Sequence, residues 1–183
     1  MIIDRLLRFS NGQDLGQVAG GYASTDVIDF GIGIDASAPA IPSNANGGGA
    51  RDMGIGDDPA LKLLVVVQEA FTSAGAATLV VTLQGAPDDG TGVPGAYVSW
   101  WSSPIYALAT LAAGARLLDM DFPRPPAGVP VPRFVRLLYT IAGATTTAGT
   151  VFSAIVLNRI DQMYNSTDNA TLGGYRAGIT VAN

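Results

Sequence analysis

Along most of this chain, apolar positions alternate with polar ones or gather in short valine-rich runs, and no long helical stripe interrupts them. Residues 25–30, Thr-Asp-Val-Ile-Asp-Phe, alternate well enough to predict the first core strand. Residues 61–71 form an apolar, Val-rich run, residues 72–76 (Thr-Ser-Ala-Gly-Ala) supply a turn, and residues 78–84 return. That succession predicts a hairpin. The same grammar recurs at residues 134–141, a Thr/Gly turn, and residues 151–160, predicting a second one. Shorter strands are expected at residues 97–101, 104–108 and 116–122, with a short helix at residues 107–115 weakened by Thr110 and Gly114.

Residues 1–9 are amphipathic and are followed by Asn11-Gly12, a turn signal, so they read as an arm or a short edge strand. Residues 35–59 carry almost no periodicity and consist largely of Gly, Pro, Asn and Ala. A loop of that length is usually functional or disordered. The expectation is an excursion that becomes ordered against a neighbour. Pro123, Pro125, Pro126, Pro130 and Pro132 make a stiff, extended connector with few backbone donors. About eight strands between Gly/Pro turns predict an all-β fold, a jelly-roll-like β-sandwich. It is expected to form one domain over residues 1–183, with an N-terminal arm (1–9), a long loop (35–59) and a C-terminal tail (162–183).

Composition narrows the function. Charged residues are 14% of the chain, against about 25% in an average globular protein, and hydrophobic residues reach 48%. Subunit contact is the simplest cover for so poorly charged a surface. A net charge of -5, a single lysine (Lys62) and scattered arginines argue against direct nucleic-acid binding, which needs clustered cations to displace counterions. Histidine is absent, which removes the commonest general base and zinc ligand, so a Ser-His-Asp triad cannot be assembled. Cysteine is absent too, which excludes disulfides, thiolate metal sites and thiol nucleophiles. No cofactor or metal is expected.

Residues 137–157 carry no charge and are long enough to be a transmembrane candidate. Their centre, Gly143-Ala-Thr-Thr-Thr-Ala-Gly149, predicts two strands and a loop instead, so no membrane partner is expected. The apolar opening is interrupted by Asp4, Arg5 and Arg8, unlike the core of a signal peptide.

Few constellations suggest chemistry. Gly31-Ile-Gly33 and Gly54-Ile-Gly56 lack the following helix that a phosphate loop requires and read as turns. Asp119 and Asp121 share one strand face, as ligands for a hard cation would, with Asp57-Asp58 as possible helpers. Their alternation with Leu118, Met120 and Phe122 favours an ordinary solvated face. Glu69, the single glutamate, lies in an apolar strand and offers no paired carboxylate for glycoside hydrolysis. Trp100 and Trp101 are adjacent, so on a regular strand they point to opposite faces: one fills the core and the other meets a partner. Asn165-Ser-Thr167 and Asn169-Ala-Thr171 match the glycosylation pattern and read as chance matches.

Three stretches, taken in order, carry a family resemblance: Met1-Ile-Ile-Asp4, RDMGIGDDPALKLLVVVQEAFTSAGAATLVVTLQG at residues 51–85, and PRFVRLLYTIAGATTTAGTVFSAIVLNRID at residues 132–161. Together they resemble the capsid cement, or decoration, proteins of tailed phages, as in Bordetella phages. The resemblance implies a non-enzymatic jelly-roll subunit on the outer surface of the virion capsid, assembled in the host cytoplasm and bridging major capsid proteins. It implies a homodimer, with a trimer as the other closed arrangement. Contacts are expected from residues 1–9, 36–56 and 162–183. Interface candidates are Ile2, Ile3 and Leu6 in the arm, and Arg51 and Met53 in the loop. Trp100 and Trp101 in the body and Tyr164 and Tyr175 in the tail complete the set. Two other readings compete: a carbohydrate-binding jelly-roll module of a phage tail or receptor-binding protein, using Trp100 or Trp101, and a histidine-free hydrolase using Asp119 or Asp121.

Overall fold

The alternating pattern folds into two antiparallel sheets packed face to face in the computed structural model, which describes residues 7–30, 61–126 and 132–157. The strands are β1 (Arg8–Asp14), β2 (Gly20–Ala23), β3 (Ile28–Asp29), β4 (Leu61–Ser73), β5 (Thr78–Ala86), β6 (Val98–Ser102), β7 (Tyr106–Ala107), β8 (Arg116–Asp121), β9 (Phe134–Ala142) and β10 (Thr146–Leu157). One sheet runs β1-β10-β4-β8 and the other β2-β9-β5-β6, with β3 also on β9 and β7 also on β5. With β2/β3 and β6/β7 each taken as one interrupted strand, this is the eight-strand order of a jelly roll.

Period-2 burial builds the core. Leu61, Leu63, Val65 and Val67 of β4 face Leu79, Val81 and Leu83 of β5 and Val135, Leu137 and Ile141 of β9 in one continuous cluster. Tyr139 is buried among them, with its hydroxyl bonded to Ser10 and Ser153 of the opposite sheet. Leu118 and Phe122 enter the cluster from β8 and its end, with Met120 packed against it, while Asp119 and Asp121 stay exposed as the alternation requires.

The two hairpins read from the sequence are not hairpins. β4 pairs with β10 and β8, whereas β5 pairs with β9, β6 and β7. The turn at residues 74–77 therefore carries the chain from one sheet to the other, and residues 143–145 do the same between β9 and β10. The two turns resemble each other because they occupy neighbouring corners: Ser73 Oγ donates to the Thr145 carbonyl at 2.7 Å. A strand-turn-strand pattern specifies a reversal of direction, which a sheet-crossing corner satisfies as well as a hairpin does.

Other expectations also shift. Asn11-Gly12 is not a turn: it lies inside β1 at an irregularity against β10, where Gly12 adopts φ +68°. That is a bulge, which a glycine accommodates without strain. Within residues 25–30 only Ile28–Asp29 is strand, although Ile28 and Phe30 are buried. The helix sought at residues 107–115 is a single 3-10 turn at Leu108–Thr110. Among the described residues, no helix is long and apolar enough to cross a membrane.

Candidate functional site

The two ends of the sandwich differ. The turn at 74–77 joins the end of β4 to the start of β5, so the start of β4 and the end of β5 share the opposite end. At that opposite end Phe134 of β9 pairs with Ala86 and with Asp29, Leu61 pairs with Leu157, and Lys62 pairs with Asp121. Arg8 pairs with Ala154 nearby. Hence the chain enters β1, leaves β3, enters β4, leaves β8, enters β9 and leaves β10 all at one end. Every stretch outside the described residues connects there, whereas the other end is closed by the connections at 15–19, 74–77, 103–115 and 143–145.

A charged clamp organises this open end. The loop after β5 folds on itself: Asp88 accepts hydrogen bonds from the Gly90 and Gly92 N–H groups at 2.9 Å each, and Asp89 accepts from Thr91 N and Oγ1. Arg133, just before β9, donates two bonds to Asp29, Nε at 2.9 Å and Nη2 at 3.1 Å, and a third to Asp88. Its guanidinium also lies over the Phe134 ring, 4.8 Å from the centroid. One side chain thus ties together the exit of β3, the loop after β5 and the entry to β9. The Gly92 N–H, with Gly90 and Arg133 adding to it against partial desolvation, holds the Asp88 carboxyl below the usual carboxylate range. The hydroxyl and N–H of Thr91 do the same for Asp89. Bonding to Asp29 raises the Arg133 guanidinium further above its ordinary value. The clamp escaped sequence reading because positions 29, 88 and 133 share no local pattern.

Trp100 and Trp101 lie beside this end, but not on opposite faces as expected. Leu83 pairs with Trp101 and Gln84 with Ser99, so Trp100 is an extra residue at a bulge. The Trp100 ring and Pro132 occupy the space where a side chain on Gly85 would go, on the same inward parity as the buried Leu83. Both indoles are partly buried and pack against the core cluster. The bulge breaks the strict period of two on which the opposite-face expectation rested. On the outer side, Arg136 stacks over Tyr97 at 3.6 Å and donates to Gln84 at 2.9 Å.

Asp119 accepts from Arg116 Nη1 at 2.9 Å and lies 3.9 Å from Lys62 Nζ, an exposed ion-pair group. Among the described residues no cluster of three or more acidic, His or Cys side chains could hold a metal ion. Ile2, Ile3, Leu6, Arg51, Met53, Tyr164 and Tyr175 lie outside the described residues, as do Gly31-Ile-Gly33, Gly54-Ile-Gly56, Asp57-Asp58 and both Asn-X-Thr matches.

No curated protein matches the chain. A family model, Bbp16, matches residues 9–156, which spans the sandwich from β1 to β10. That match covers most of the sequence, and the chain belongs to the Bbp16 family, a family of Bordetella phage type.

Proposed function

We propose that this protein is a capsid cement, or decoration, protein that binds the outer surface of an icosahedral phage shell and bridges major capsid proteins. The observation that carries the reading is the polarity of the sandwich. One end is closed by the connections at 15–19, 74–77, 103–115 and 143–145, and every stretch outside the described residues joins the sandwich at the other, beside the Arg133–Asp29–Asp88 clamp. A body whose remaining chain joins it at one end suits attachment to an underlying surface: segments that order on docking cover large areas, and repetition over symmetric sites multiplies weak contacts. The family match, the scarcity of charge and the lack of histidine and cysteine support a structural role over an enzymatic one. The protein acts without a cofactor, as a homodimer. Its partners are the major capsid protein and a second copy of itself, with neither nucleic acid nor membrane involved.

The carbohydrate-binding alternative needs an indole face free to stack on a sugar. The packing of both Trp100 and Trp101 on the core makes it the weaker reading. The test is to mix purified protein with particles of its phage that lack it. Co-sedimentation at a fixed ratio to the major capsid protein, with particles surviving higher temperatures, is the expected result. Failure to bind shells, together with specific glycan binding, would replace this reading with the alternative.

A further inference from the structure

The outer face of the β2-β9-β5-β6 sheet holds one fixed arginine among uncharged neighbours. Across the ladder Arg136 pairs with Gln84, and Gln84 with Ser99. The next rows, Leu138-Thr82-Ser102 and Thr140-Val80, carry no charge. Gln84 is buried: its Nε2 donates to Ser99 Oγ at 3.0 Å, and its Oε1 accepts from Arg136 Nε at 2.9 Å. The guanidinium lies 3.6 Å from the centroid of the Tyr97 ring. Two contacts thus fix the half-buried Arg136, and because Nε is taken, the edge formed by Nη1 and Nη2 is left. Neither of these nitrogens has an acceptor among the described residues. The other described cations differ. Arg8, Lys62, Arg116 and Arg133 each face a carboxylate, and Arg124 is exposed with no bond to hold it. An arginine pinned in a stacked pose has already given up much of the side-chain freedom that a paired contact costs.

We propose that Arg136 is the docking point for a carboxylate of another protein, which lies along this uncharged sheet face. The Nη1–Nη2 edge matches a carboxylate through two parallel hydrogen bonds, and Tyr97 and Gln84 orient it before contact. Charge complementarity sets the chemistry of the partner: the hydroxyls and aliphatic groups of the face accept small uncharged side chains, whereas Arg136 requires an acid. A second copy fits less well. A two-fold contact sets this face against itself. The acids at its margin are already engaged: Asp29, the register partner of Phe134, and Asp88 are bonded to Arg133, and Asp89 is folded onto Thr91. Such a pairing would leave Arg136 opposite hydroxyls and aliphatic side chains. The inference rests on the shell reading for the identity of the partner, the major capsid protein, and adds to it the residue and the chemistry of one contact.

The test uses the full chain and particles of its phage that lack it. Arg136→Gln, folded by far-UV circular dichroism, is expected to bind these particles on the order of tenfold more weakly than the native chain. Arg136→Lys should recover only part of the loss, because an ammonium cannot form the paired bonds. Arg116→Gln makes the same charge change at an arginine already paired with Asp119 and should bind as the native chain does. In Arg136→Lys a carbodiimide should join the lysine amine to the partner carboxylate as an amide, with loss of water. Mass spectrometry of the linked peptides should then find position 136 joined to the major capsid protein. Undiminished binding by Arg136→Gln, an equal loss in Arg116→Gln, no link at position 136, or a link to a second copy of this chain would overturn the inference and leave the shell reading standing. Failure of the native chain to bind would instead remove the shell reading, and this partner with it.

Discussion

The hydroxyl of Tyr139 lies 2.6 Å from Ser153 Oγ, a hydrogen bond that crosses the sandwich from β9 in one sheet to β10 in the other. Ser10 of β1 completes the group at 3.0 Å from the same phenol and also donates to Gln13 at 2.7 Å. A polar group at the centre of an apolar core is tolerated only when its partners are in place. Replacing Tyr139 by Phe leaves Ser153 without this partner and is expected to cost about 1–3 kcal/mol in urea denaturation. Adding Ser153→Ala should recover part of that loss.

The same tyrosine sets an alkaline limit. Burial pushes its phenol up to about 12, against the hydrogen bonds from Ser10 and Ser153, which lower it. Because the folded value lies above the unfolded one, near 10, the stabilisation is complete below pH 10 and is lost as pH rises from there toward 12. Denaturation midpoints measured across that window should fall in the native protein. Tyr139→Phe should remove this component of the fall, and an equal slope in both proteins would refute the assignment.

Gly85 is required by its neighbours. A Cβ there collides with the Trp100 ring and with Pro132. Gly85→Ala should destabilise by about 1–3 kcal/mol through overpacking, with a shift in tryptophan emission as the ring is displaced. An unchanged melting temperature and spectrum would mean that the ring moves aside freely.

The Arg133 clamp should hold the open end together. The Arg133 and Asp88 side chains are 13% and 14% exposed, so Arg133→Ala removes the charged partner of a half-buried carboxylate and leaves it only the Gly90 and Gly92 N–H groups. The variant is expected to lower the melting temperature and speed proteolysis of the loop at residues 87–97. The Asp88 carboxyl titrates below its usual value of 3.8, so its contribution is present above that pH and fades as pH drops further. Acid sensitivity below pH 4 should accordingly be greater in the native protein than in Asp88→Asn.

Removing residues 36–56 tests the shell reading from the side of the long loop. The strands entering and leaving that stretch are held by pairing with β9, β10 and β8, so the sandwich should still fold, as circular dichroism will report. Binding to particles is expected to be lost. Normal decoration by the shortened chain would show that the contacts lie elsewhere.

Local pattern was sufficient to locate β4, β5, β8, β9 and β10 and to say which of their side chains face inward, but it missed β2 and read a turn inside β1. Leu63, Val65 and Val67, or Leu118 against Asp119, follow directly from a period of two. The jelly-roll class was legible for the same reason, since many short strands between Gly/Pro turns admit few architectures. Partner choice was not legible. β4 and β5 look like a hairpin, yet they lie in different sheets, because a chain reversal is specified locally whereas pairing is decided by which apolar faces must be buried together. The bulge at Trp100 was hidden for a related reason: one extra residue in β6 changes the facing of an indole without changing the pattern of the strand.

Composition alone removed histidine and thiol chemistry from this protein and marked it as poor in charge. Only the tertiary structure gathered Asp29, Asp88 and Arg133 into one clamp and brought the starts of β1, β4 and β9 and the ends of β3, β8 and β10 to a single end of the sandwich. Those relations join positions tens of residues apart. They exist because two sheets bury their faces together, and no stretch of sequence read by itself contains them.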